Sequence, residues 1–72
     1  MTEHPVITIT VNGEPRQIAS GTTIADLIDA MALTGKRLAV ERNQEIVPKT
    51  THAQVTLQAA DVIEIVHAIG GG

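Results

Sequence analysis

Residues 7–35 read ITITVNGEPRQIASGTTIADLIDAMALTG, and the hydrophobic period changes inside that stretch. Ile7, Ile9 and Val11 alternate with Thr8 and Thr10. A period of two on β-branched residues predicts a half-buried strand. Asn12-Gly13 tolerates positive φ at both positions and predicts a tight hairpin turn. A short return strand follows over residues 16–19, with Ile18 pointing inward. From Thr23 the period becomes helical. Ile24, Leu27, Ile28 and Met31 fall at i, i+3, i+4 and i+7, one face of a helix. Thr23 suits the N-cap, with Asp26 three residues later as an acidic variant of the capping box. The pattern predicts a helix over 24–34, ended by Gly35 as its C′ residue.

Beyond the helix the period returns to two. Leu38 and Val40 open a strand, RNQE (42–45) turns, and Ile46 and Val47 follow until Pro48, which has no amide hydrogen for a ladder. Asn43 supplies one positive-φ position, and Gln44 is a weaker second one than glycine would be. Residues 51–54 suggest one irregular helical turn. DVIEIVHAI (61–69) is the last strand and the most apolar. The order is two strands, one helix, then three strands. A right-handed crossover through the helix lets the last strand lie parallel beside the first. The expected fold class is therefore α+β: a mixed sheet of four to five strands with one main helix across one face.

Composition narrows the function classes. Seventy-two residues make a single domain with no room for a two-lobed cleft. Phe, Tyr and Trp are absent, so the core must be aliphatic. A net charge of -3 without aromatics argues against nucleic-acid binding. No basic amphipathic stretch points to a membrane surface. The absence of cysteine removes disulfides and thiol chemistry. The start MTEHPV lacks the features of a signal peptide, and these traits together fit a cytoplasmic protein.

The chain finishes on Gly70, Gly71 and Gly72, directly after the apolar run. Without side chains, such a tail can thread a channel too narrow for any Cβ. Its tip carries the α-carboxylate of Gly72, an anion at neutral pH and a poor electrophile. Activation as a mixed anhydride with AMP makes that carbon reactive. A sulfur nucleophile then gives a thiocarboxylate, and a lysine amine gives an isopeptide bond. In both cases the catalytic groups belong to partner enzymes and this chain is a co-substrate.

The residues that carry a resemblance are now in view. AVERNQEIVPKTTHA (39–53), DVIEIVHAIGGG (61–72), ITVNGEPRQI (9–18) and GTTIADLI (21–28) together resemble the ubiquitin-like β-grasp sulfur carriers. Within that family they look most like the carriers of thiamine biosynthesis. The likeness runs from Val6 to Gly72. Residues 1–5 look like a short N-terminal extension, 6–69 the β-grasp domain and 70–72 the glycine tail. Gln44 stands where the family commonly has glycine.

The resemblance implies a function. An E1-type, ThiF-like adenylyltransferase adenylates Gly72 with ATP. A sulfur relay fed by a cysteine desulfurase converts the adenylate to a thiocarboxylate. Thiazole synthase (ThiG) takes that sulfur into the thiazole moiety of thiamine. No cofactor is expected on the carrier itself; ATP is used by the activating partner. Related readings are a small subunit of molybdopterin synthase and a ubiquitin-like protein modifier. A β-grasp interaction module with an incidental tail is a further rival. The segment EIVP favours the thiamine branch.

Other residues follow from the strand pattern. With Ile63 and Ile65 facing the core, Val62, Glu64, Val66 and Ala68 share the outer face and are the candidate partner-docking residues. His4, His52 and His67 have no metal-ligand spacing, so no metal site is expected. Asp26, Asp29, Glu41, Glu45 and Glu64 read as solvated faces rather than a general acid–base pair. Lys36 and Lys49 read as surface residues.

Overall fold

The computed structural model describes residues 5–67. Strand β1 (Val6–Val11) turns at Asn12 and Gly13, with φ of 51° and 84°, into β2 (Glu14–Ala19). Both turn residues sit in the left-handed region, as the Asn-Gly pair predicts. The return strand begins two residues earlier than the sequence pattern suggests. The antiparallel register pairs Ile7 with Ile18 and Val11 with Glu14.

Helix α1 (Ile24–Ala30) has the predicted start. Thr23 Oγ1 accepts from the Asp26 N–H at 3.1 Å, and an Asp26 carboxylate oxygen accepts from the Thr23 N–H at 3.1 Å. Two further free amides of the first turn are used as well. Ile24 N–H donates to the Val55 carbonyl and Ala25 N–H to the His52 carbonyl, both at 3.0 Å. The loop at 52–55 is thus fastened to the start of the helix.

The helix end differs from the expectation. Met31 is the C-cap, and Ala32 takes the left-handed conformation at φ 60°. Ala32 N–H donates to the Asp29 carbonyl and Leu33 N–H to the Ile28 carbonyl, each at 3.0 Å. This is a Schellman closure, which satisfies carbonyls the last turn would leave free. The apolar period continues to Met31 and masks the stop. Gly35 does have positive φ, 87°, but it serves the loop beyond.

Strand β3 (Leu38–Arg42) and the two-residue β4 (Glu45–Ile46) flank a turn at Asn43 and Gln44, with φ of 52° and 72°. Gln44 therefore accepts the glycine-like conformation. A 3₁₀ turn spans Lys49–Thr51, slightly ahead of its expected place. Strand β5 (Val62–His67) completes a five-stranded mixed sheet in the order β2-β1-β5-β3-β4. It runs parallel to β1 and antiparallel to β3. The most apolar strand thus takes the centre, where both edges can be paired.

One face of the sheet packs on α1. Ile9, Val11, Val40, Ile63 and Ile65 meet Ile24, Leu27 and Ile28, with Leu57 closing one side. Ile24 and Ile63 are fully shielded from solvent. Side chains of this size each contribute about 1.5–3 kcal/mol on full burial. Branched aliphatics with stiff χ1 angles make up most of a core built without rings. Among the described residues no helix is long and apolar enough to cross a membrane.

Candidate functional site

Alternation along β5 places Ile63 and Ile65 in the core and turns Val62, Glu64 and Val66 outward. Val62 is 42% and Val66 55% exposed. The register sets Ala39 beside Val66, and Glu41 beside Glu64. Ile46 joins the same face through its pairing with Glu41, and Val6 lies on it from β1. All the large exposed aliphatics among the described residues, Val6, Ile46, Val62 and Val66, therefore stand on the side of the sheet away from α1. Three predicted docking residues are brought together there. Ala68 lies outside the described residues, as do Gly70, Gly71 and Gly72.

Glu41 and Glu64 stand directly opposite each other in the middle of this face. Like charges in that position are mildly unfavourable for the isolated sheet. The cation nearest in sequence, Arg42, points to the opposite face. Its Nε donates to Asp61 at 2.8 Å instead. The outer face thus combines apolar side chains with two glutamates that form no ion pair among the described residues.

The start of β5 holds a group that sequence reasoning passed over. Asp61 is buried, and its carboxylate accepts three hydrogen bonds: from Arg42 Nε at 2.8 Å, Asn43 Nδ2 at 3.1 Å and the Gln58 N–H at 2.8 Å. Burial alone raises its pKa. The bonds from Gln58, Asn43 and Arg42, with the charge of Arg42, outweigh that and hold it below the ordinary carboxylate value. Asn43 Oδ1 in turn accepts from the Val62 N–H at 2.9 Å. Its visible signal was an acidic residue immediately before the most apolar strand. Its partners at 42 and 43 lie too far back in the chain for spacing to reveal them.

The histidines do not converge. His52 is buried, with Nε2 3.1 Å from the Val47 carbonyl. His67 is exposed at the end of β5, and His4 lies outside the described residues. The cleft beside His52, lined by Ile28, Leu33, Lys36, Leu38 and Lys49, encloses about 240 Å³. That is below the range of about 300–1,000 Å³ usual for small-molecule pockets. Open surface clefts beside Ile46 and Pro48 and beside Ile18 and Asp26 measure about 440 and 400 Å³. What the arrangement offers is a rigid sheet face and a strand leading out of it toward residues 68–72.

Comparison with known proteins bears on the same segments. The model of the ThiS family matches residues 9–72, which includes the terminal glycines. A Bacillus subtilis protein named sulfur carrier protein ThiS is 50% identical over 50 residues, covering 69% of this chain and 76% of that one. A thiazole synthase of Paramagnetospirillum magneticum is 42% identical over 64 residues, 89% of this chain. This chain spans only about a fifth, 20%, of that relative's length. The crystal structure of the thiamine biosynthesis protein ThiS from Geobacter metallireducens superposes with a TM-score of 0.80 at 26% identity. It covers 92% of this chain and 100% of its own.

Proposed function

We propose a mechanism on one premise: the chain belongs to the ThiS family. It works as a sulfur carrier in thiamine biosynthesis, and its reactive group is the α-carboxylate of Gly72. The fold is the β-grasp of that family. The observation that carries the reading is the joint match of family model and sheet. The likeness extends through the last glycine, and the central strand ends at His67, shortly before it in the sequence.

The chemistry follows from the carboxylate. An oxygen of Gly72 attacks the α-phosphorus of ATP on an E1-type adenylyltransferase, and pyrophosphate leaves. The acyl carbon now bears AMP as a leaving group. The terminal sulfur of a persulfide, supplied by a cysteine desulfurase relay, forms the C–S bond as the C–O bond to AMP breaks. A thiol of the relay then cleaves the S–S bond and leaves as a disulfide. The resulting thiocarboxylate is the donor for thiazole synthase. The carrier contributes no catalytic side chain to these steps, which proceed in the cytoplasm.

The domain's share of the work is recognition and delivery. Val62, Glu64 and Val66 dock on the partner by the outer sheet face, and Ala68 extends the same alternation. An apolar patch with a firm backbone suits association, because little side-chain freedom is lost on binding. Gly70 and Gly71 thread the partner's channel, where a Cβ would be excluded.

Reconstitution tests this. The intact chain with the activating enzyme, ATP and a sulfur source should release pyrophosphate and gain one sulfur in place of one oxygen at its C-terminus, read by intact mass. A chain lacking Gly72, or amidated there, should do neither. Equal sulfur loading of the truncated or amidated chain would overturn the assignment.

A further inference from the structure

The two backbone edges of β5 are used unequally. On the β3 side, pairing runs the length of the strand, from Ile63 with Arg42 to His67 with Leu38. On the β1 side it covers only Val62 with Thr10 and Ile63 with Val11. The Asn12 N–H still reaches the Ile63 carbonyl at 2.9 Å. Then the chain turns away, with Asn12 in the left-handed region.

The side chain of Asn12 takes the place of the missing strand. Its Oδ1 accepts from the Ile65 N–H at 2.7 Å, and its Nδ2 donates to the Ile65 carbonyl at 3.1 Å. Backbone groups of alternate residues in a strand point to the same edge. Ile63 and Ile65 point toward β1, so the N–H and C=O of His67 do as well. Among the described residues no side-chain or loop hydrogen bond reaches these two groups. The ladder is carried as far as Ile65 and left open one step before residues 68–72.

We propose that this open edge of β5 receives an extended backbone segment of the enzyme that activates the tail, which adds a strand to the sheet at His67. The proposal rests on the sulfur-carrier reading. An exposed strand edge offers a donor and an acceptor at fixed spacing, and an extended peptide satisfies both. Pairing at this point fixes the direction in which the glycines leave the domain. It also removes part of the freedom that makes a glycine tail costly to order.

Total synthesis gives the decisive variant, a chain methylated on the His67 backbone nitrogen. The methyl group removes the donor and blocks the edge, while the β3 side stays intact. The expected result is a thermal midpoint within a few degrees of the unmodified chain and roughly tenfold weaker binding to the adenylyltransferase. In the unmodified chain, hydrogen exchange at the His67 amide should slow markedly when the enzyme and ATP are present. Equal binding and activation of the methylated chain, or an unchanged exchange rate at His67, would overturn the proposal alone. An unmodified chain that gains neither AMP nor sulfur would instead overturn the sulfur-carrier reading.

Discussion

Strand β5 is entered from Asp61, which sits inside a net of hydrogen bonds, and ends at His67 with one edge bare among the described residues. The first end is held by Arg42, Asn43 and Gln58 around a buried carboxylate. The second has Leu38 on one side and no described partner on the other. In the proposed carrier, the six residues of β5 pass from structural anchor to delivery point. Recognition needs a tail that leaves in a defined direction. The anchor supplies that by fixing the strand's register and its core face before the open end is reached.

The contrast can be broken at the anchored end with the largest effect on stability. Asp61→Ala leaves Arg42, Asn43 and the Gln58 N–H without their acceptor and should cost about 2–3 kcal/mol, measured by urea unfolding. Sulfur loading per folded molecule should stay unchanged, because the open end is untouched. A loss of loading at full folding would mean that the two ends are not separable.

The same carboxylate gives a pH test. Its folded pKa lies below the unfolded value of about 3.9. Its contribution is therefore complete above the unfolded value and fades as pH falls through the folded one. The intact chain should lose stability in that acidic window, and Asp61→Asn should show a smaller loss there. Parallel stability curves for the two chains would rule out the assigned role of the Asp61 net.

At the delivery end the effect should fall on binding. Val66 is 55% exposed, so Val66→Lys should shift the thermal midpoint by only a few degrees. It should weaken binding to the activating enzyme by roughly tenfold, about 1.4 kcal/mol. An unaltered affinity, measured by calorimetry, would remove the outer face from the docking surface.

The smallest expected effect lies away from both ends. Ala32 holds a left-handed conformation that glycine adopts freely. Ala32→Gly should stabilise the fold by about 0.5–1 kcal/mol, with no change in partner binding. Destabilisation would show that the Ala32 methyl group contributes packing.

Legibility in the sequence followed the range of the interactions. Asn12-Gly13, the Thr23/Asp26 cap and the alternation of β5 are local, and each takes its expected conformation. Outward placement of Val62, Glu64 and Val66 followed from the same alternation. The helix stop was misjudged because Gly35 is the more obvious breaker, whereas closure occurs on Ala32. Gln44 at positive φ shows a turn geometry overriding residue preference. The Asp61 net and the Asn12 bridge were hidden for another reason. Apart from Gln58, which is local to Asp61, their partners are 18–19 and 53 residues apart, and only the assembled sheet brings them together.

That 53-residue span has a kinetic consequence. The centre of the sheet is the last strand to emerge during synthesis, so the β1–β2 and β3–β4 pairs must wait for it. Long-range pairing of this kind slows folding and makes it cooperative. A nascent chain stopped short of β5 has two isolated ribbons and a helix with no common floor. Any partner that reads the finished outer face of the sheet would therefore bypass such fragments.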